Sequence, residues 1–283
     1  VAKRNNGWNK QKLEKYLKEG RGQGELENYK PWTTIQDFSS MGRASRIKGW
    51  KTKRVHHFQS DISTRFFYLM EWEDKIIDIR ESFPLLNLME YLDEFQDLKL
   101  DAFKDKETDE PYILTTSFLL TINENGKHKY IARSIKNSYE LDKKLTIEKF
   151  EIERRYWIKK QIDWGIVTEK EIPVEKSKNI EWIHSSLYDC EERGFSSNDV
   201  YELSINLANY LLNNGNSPIR ELLLQYDNGY KLDSGAALFL FKHSVASKLI
   251  SVDMNKNIDL SKTSQEIISK VNINTGGKDI VNC

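Results

Sequence analysis

The residues best placed for chemistry sit where a strand runs out, at Ser134-Ile135-Lys136. Strand side chains alternate between faces, so Ser134 and Lys136 fall on one side, a hydroxyl beside an ammonium. No acidic residue stands next to them. Divalent ions want carboxylate oxygens, Mg²⁺ in near-octahedral geometry, and a serine hydroxyl is a poor substitute. A second set of chemically competent residues lies upstream: Arg43, Arg46, Lys48, Lys51, Lys53 and Arg54, interleaved with Trp50. Cations in this density suit contact with a polyanion backbone, whose charge they neutralise with release of counterions. The same composition also describes an exposed basic hairpin, and nothing in it announces base reading. The five histidines are scattered apart from His56-His57, which argues against a zinc site. Cys190 and Cys283 make neither a disulfide framework nor a metal-ligand spacing.

The elements that must position Ser134 and Lys136 are legible. Tyr112 to Ile122 and Lys127 to Lys136 are β-branched and aromatic runs around Glu124-Asn125-Gly126. Asn-Gly tolerates positive φ at both residues, so the pair reads as a hairpin. A charged amphipathic helix follows from Leu145 to Lys160, with Ile147, Phe150 and Arg154 or Tyr156 near one face and a solvated charge ladder opposite. Upstream, Trp8 to Glu19 reads as a short helix stopped by Gly20. Ser60 or Asp61 caps a buried helix over Ile62 to Trp72, and Ile76 to Leu85 is a strand ended by Pro84. Residues 86–110 read as an acidic helix plus loop. Asp163 to Thr168 is one more strand. Helix, strand, hairpin, helix, strand is an α/β order around a mixed sheet.

Composition shifts near residues 172–198. Beyond it, Val200 to Leu212, Ile219 to Tyr226 and Ala236 to Val245 are helical, and Leu249 to Val252 with Ile258 to Leu260 reads as a closing hairpin. Three helices and a hairpin are the winged-helix arrangement. Its third helix is mostly apolar, which favours protein docking over groove reading, and the tail after Ser261 reads as frayed. The expected domains are therefore a basic arm over 1–60, a core over 61–185 and a winged-helix-like domain over 186–283.

The 283 residues carry 43 Lys/Arg and 43 Asp/Glu, yet the balance is uneven. Residues 1–60 hold 14 cations against 5 acids, or +9; residues 61–110 hold 6 against 15, or −9. A basic arm beside an acidic middle suggests a polyanion touched by one face, or a surface that neutralises itself. No apolar run is long enough to span a membrane and none at the start resembles a signal peptide, so the expected compartment is the cytoplasm.

Hairpin, polar-x-Lys strand end and helix resemble the restriction-enzyme-like nuclease core. Several stretches together narrow that likeness: Lys18 to Gly24, Pro31-Trp32, Gly42-Arg43, Arg54 to His57, Glu71 to Glu73, Asp78 to Glu81, Phe83 to Leu86, Glu151 to Trp157 and Asn179 to Trp182. As a set they resemble the TnsA-type endonuclease subunits of heteromeric bacterial transposases, over residues from about 10 to 185. The resemblance implies a restriction-endonuclease-like domain followed by a winged-helix-like domain. It also implies a subunit that cuts 5′ strands at transposon ends, alongside an integrase-class transposase subunit and an ATPase regulator.

The family builds its centre from a helical Glu, a strand Asp and Gln-x-Lys. These positions fall on Ser63, Ser117, Ser134 and Lys136, so only the lysine survives. With the carboxylates gone, a divalent ion about 5 Å from an uncompensated ammonium would cost roughly 6–7 kcal/mol at an effective dielectric of about 20. The resemblance thus implies the scaffold of a Mg²⁺ endonuclease without its metal ligands and, in consequence, no bound cofactor. The alternative is an active Mg²⁺ enzyme in which Asp61, Glu71 or Glu73 has moved into the centre.

Overall fold

The computed structural model describes residues 7–37, 43–92 and 96–272, in two compact units, Val1–Ile172 and Pro173–Cys283. In the first, helix α1 (Lys10–Lys18) starts where the Asn9 side chain accepts the Lys12 N–H. Strands β1 (Ser45–Lys48) and β2 (Val55–Phe58) pair antiparallel, so the basic stretch is a hairpin. Helix α2 (Asp61–Trp72) is capped by Ser60.

The central sheet holds β3 (Ile76–Pro84), β4 (Thr115–Glu124), β5 (Lys127–Ile135) and β6 (Asp163–Val167) in that spatial order. The first three are antiparallel, and β5 and β6 are parallel. A parallel pair needs a crossover, which α3 (Lys144–Lys159) supplies. Asn125 and Gly126 both adopt positive φ, 53° and 81°, as the expected hairpin turn requires. Leu119 and Ala132 pack with Ile152, Tyr156 and Trp157 of α3. Elsewhere on β4, Phe118 meets Phe58 and Phe66 at 5.9 and 5.0 Å between ring centres. The α/β class with a mixed-sheet core is thus as the sequence implied.

Two local expectations fail here. Residues 86–110 form no α-helix among those described, only 3-10 turns at Leu88–Glu90 and Leu100–Phe103. Asn87 is left-handed at φ 54°, and Leu88, Leu98, Leu100 and Phe103 each reach the core from irregular backbone. Helix α3 buries Phe150 and Tyr156 of its expected face, but Ile147 is 55% exposed, and Glu153, expected among the solvated charges, is fully buried beside Ile152.

The second unit comprises α4 (Val174–His184), α5 (Ser197–Asn213), α6 (Ile219–Tyr230), α7 (Ala236–Ala246), β7 (Ile250–Val252), α8 (Ser264–Ile267) and β8 (Ile268–Val271). Ser196 and Asp199 form a capping box that starts α5. Helix α7 is core, with Phe239, Leu240, Phe241 and Val245 buried, in keeping with its apolar sequence. The helical C-terminal region is as expected, but its hairpin is not. β7 pairs with β8, not with Ile258 to Leu260. That loop is held instead by α6, whose Arg220 and Ile219 N–H groups donate to the Leu260 and Lys262 carbonyls. Of the tail expected to fray after Ser261, the described part, through residue 272, holds a Thr263–Glu266 capping box that starts α8.

The unit boundary precedes α4, not residue 186. Asn179 of α4 donates to the carbonyls of Met254 and Lys256, 2.9 and 2.7 Å away, and so ties that helix into the second unit. Cys190 is fully buried, and Cys283 lies outside the described residues. Among the described residues no helix is long and apolar enough to cross a membrane.

Candidate active site

The sheet brings the end of β5 beside the start of β4. Ser117 lies in β4, and its hydroxyl accepts the Ile135 N–H at 2.9 Å, between Ser134 and Lys136 in the chain. Ser63 is in the first turn of α2, on the face that one turn later carries Phe66 and Phe67; Phe66 in turn rests on Phe118, the residue after Ser117. β4 and β5 are thus joined by a direct hydrogen bond here, and α2 reaches β4 through Phe66 on Phe118.

What these side chains do locally is bond to the protein. The Ser60 hydroxyl caps α2 by accepting the Ser63 N–H, and donates to the Ser63 hydroxyl at 2.9 Å. Ser134 is 1% exposed; its hydroxyl donates to Glu153 Oε2 and accepts the Trp164 indole N–H at 3.1 Å. Glu153 also receives the Thr116 hydroxyl at 2.8 Å and lies 3.0 Å from the Lys149 ammonium. Thr116 accepts the Trp157 indole N–H at 2.7 Å. This buried network occupies the polar end of the site. Its centre, Glu153, was misread from sequence as part of a solvated face. A carboxylate amid Phe150, Ile152, Tyr156 and Trp157 was the available signal.

β5 ends at Ile135, although the Lys136 N–H still donates to the Val167 carbonyl at 3.1 Å. The Lys136 ammonium lies 3.3 Å from Glu140 Oε2, because the 3-10 turn at Ser138–Glu140 folds back on the strand end. The lysine charge is therefore compensated, which corrects the sequence expectation of a bare cation. Burial pushes the Glu140 carboxyl up, and the ammonium groups of Lys136 and Lys143 more than reverse it, leaving it below its ordinary value.

The other acids are engaged elsewhere. Glu71, 3% exposed, accepts the Trp50 N–H; Asp61 opens α2 at the surface, and Glu73 closes the same helix. Among the described residues, no three His, Cys, Asp or Glu side chains gather where a metal ion would be held. The donor set at Ser63, Ser117, Ser134 and Lys136 does not fit a divalent ion. It offers three hydroxyls and a cation where an oxygen cage with negative charge is required.

The basic hairpin divides into two populations. Arg43, Arg46, Lys48 and Lys53 are exposed, and Lys51 is partly buried with its ammonium 2.9 Å from the Glu73 carbonyl. Arg54 departs from the sequence reading as a DNA contact. Its side chain is 8% exposed and forks onto Glu81 at 2.8 Å, with a further bond to the Ile79 carbonyl. His56 completes the cluster, 2.8 Å from Glu81 and 2.7 Å from Thr52. Burial pushes the Glu81 carboxyl up, but His56 and Arg54 outweigh it and hold the group well below its ordinary range.

A mixed sheet with a hairpin, a crossover helix and a lysine at the strand end, followed by a separate helical unit, defines an endonuclease-type α/β scaffold. Residues 73–169 match the family described as TnsA-like endonuclease N terminal, and residues 171–254 match TnsA endonuclease C terminal. The chain is 35% identical over 277 residues to the Transposon Tn7 transposition protein TnsA of Escherichia coli, covering 96% of each protein. It belongs to the TnsA endonuclease family.

Proposed function

We propose that this chain is a cytoplasmic DNA-transposition subunit whose 5′-strand nuclease centre is chemically disabled, and that it serves in DNA binding and complex assembly. The observation that carries this reading is Ser134. It stands at a family ligand position, yet its hydroxyl is buried and committed to Glu153 and Trp164. Ser117 and Ser63 add hydroxyls already committed to Ile135 and Ser60. A centre that activates water and neutralises a leaving oxygen needs metal-bound carboxylates, and these positions hold none. Relocation of Asp61, Glu71 or Glu73 is the weaker reading, since Glu71 is bound to the Trp50 backbone.

In this role the exposed cations Arg43, Arg46, Lys48 and Lys53 contact transposon-end DNA, and the winged-helix-like C-terminal unit docks protein. The partners are an integrase-class transposase subunit, which cuts and joins the 3′ strands, and an ATPase regulator. With 5′ strands uncut, the element stays attached to its donor after 3′ joining, and replication resolves the product. Strand-specific cleavage mapping tests this. The purified chain, its transposase partner, end-containing DNA and Mg²⁺ or Mn²⁺ should leave 5′ strands intact. Robust 5′ nicking that disappears in Lys136→Ala would overturn the proposal.

A further inference from the structure

The outer face of α3 carries two side chains that a solvated surface does not call for. Ile147 is 55% exposed and Ile158 is 58% exposed, although Phe150, Ile152, Tyr156 and Trp157 already supply the buried side of this helix. A β-branched residue on an open helix face gives up helix propensity and gains no burial in return. At about 100° per residue, Ile147, Glu151, Arg154 and Ile158 fall within about 60° of one another and form one stripe along the helix. Between the two isoleucines, the Arg154 guanidinium lies 2.7 Å from Glu151 Oε1.

The stripe is self-complementary. Ile147 with Ile158, and Glu151 with Arg154, are centred on the same point, between Ile152 and Glu153. Laid antiparallel on a second α3 about a two-fold axis at that point, each Ile147 meets the partner's Ile158 and each Glu151 meets the partner's Arg154. A parallel arrangement would instead set like charges face to face. We propose that α3 docks a second copy of this chain, antiparallel across this stripe, as a weak isologous dimer. Charge order picks the occupant. Glu151 and Arg154 stay neutralised in a cluster of four alternating charges, whereas a phosphate backbone would lose at Glu151 what it gained at Arg154. Lys144 and Lys159 are exposed to the side of the stripe and keep their water. The 16-residue helix spans about 24 Å, too short for a standard interface of about 1,600 Å², so the dimer forms only at high concentration. None of this depends on whether the nuclease centre cuts.

Sedimentation equilibrium of the full chain, from about 5 μM to about 0.5 mM, tests it. The wild type should pass from monomer towards dimer over that range. Ile158→Asp, on an exposed side chain, should weaken association about tenfold with the unfolding midpoint unchanged. Glu151→Arg and Arg154→Glu should each weaken it similarly, since one stripe then presents only cations to its copy and the other only acids. An equimolar mixture of these two variants should associate again, because each altered stripe meets the opposite charge. A chain that stays monomeric throughout, a dimer indifferent to Ile158→Asp, or two charge variants that do not pair would overturn the proposal. So would a monomer whose binding to a duplex oligonucleotide is lost in Ile147→Asp with Ile158→Asp, which would give the stripe to nucleic acid.

Discussion

Arg54 separates a structural cation from a DNA contact. Replacing it with Ala leaves the Glu81 carboxylate, 2% exposed, with His56 and the His57 N–H as its remaining partners in the cluster. Breaking a buried, hydrogen-bonded ion pair costs about 3–5 kcal/mol where the other charge is left unpaired, and with His56 still beside Glu81 the loss should fall at the low end, about 3 kcal/mol. Arg46→Ala removes an exposed charge and should change stability by less than about 0.5 kcal/mol, while lowering the salt slope of DNA binding by about 0.9 if it meets one phosphate. Urea unfolding and fluorescence titration of a duplex across a salt series measure both quantities. Glu81 adds a pH signature. Its folded carboxyl titrates below the ordinary value of 4.5, so its stabilisation is present above that value and lost as pH falls below it. Arg54→Ala should flatten that acid limb. The reasoning fails if Arg54→Ala keeps the wild-type unfolding midpoint and instead reduces the salt slope as Arg46→Ala does.

Ser63 and Ser134 should respond differently to the residues that the family resemblance places there. Ser63→Glu completes a capping box with Ser60 near the positive end of α2 and should stabilise by about 0.5–1 kcal/mol in thermal melts. Ser134→Gln forces a larger side chain into a site 1% exposed and should cost about 1–3 kcal/mol in the same assay. Glu153→Ala strips Ser134, Thr116 and Lys149 of a common acceptor and should destabilise by about 3–5 kcal/mol in urea. In the second unit, burial lowers the His243 imidazole from 6.5 to about 4. The unfolded chain therefore binds a proton that the folded chain refuses, and stability falls as pH drops from 6.5 towards 4. Melts at pH about 7 and about 4.5 should differ by roughly 2–3 kcal/mol more in wild type than in His243→Leu.

Much of the scaffold was legible because the strongest signals are local. Asn125-Gly126 fixed the hairpin through its φ requirement, and Pro84 closed β3. The candidate site rests on the family resemblance, since Ser134-x-Lys136 alone carries no acid to point at chemistry. What stayed hidden depends on tertiary contacts. Glu153 reads as one charge among many until Thr116, Ser134 and Trp157 close around it, and Arg54 looks like its exposed neighbours until Glu81 claims it. The segment at 86–110 has leucines enough for a helix, but each is buried from a separate turn, a pattern that periodicity misses. Pairing of β7 skipped the nearer apolar stretch at 258–260 because the α6 N-terminus uses that backbone for its own unsatisfied donors.

The tie made by Asn179 bears on how the two halves can be handled apart. A fragment beginning at residue 173 keeps the amide bridges to Met254 and Lys256 and the stacking of Lys242 over Trp182 at 4.5 Å. One beginning at residue 186 discards a whole helix, bares the carbonyls it satisfied and strips Trp182 from beneath Lys242. Binding lost by the shorter fragment would therefore reflect a damaged fold before it reflected a missing contact.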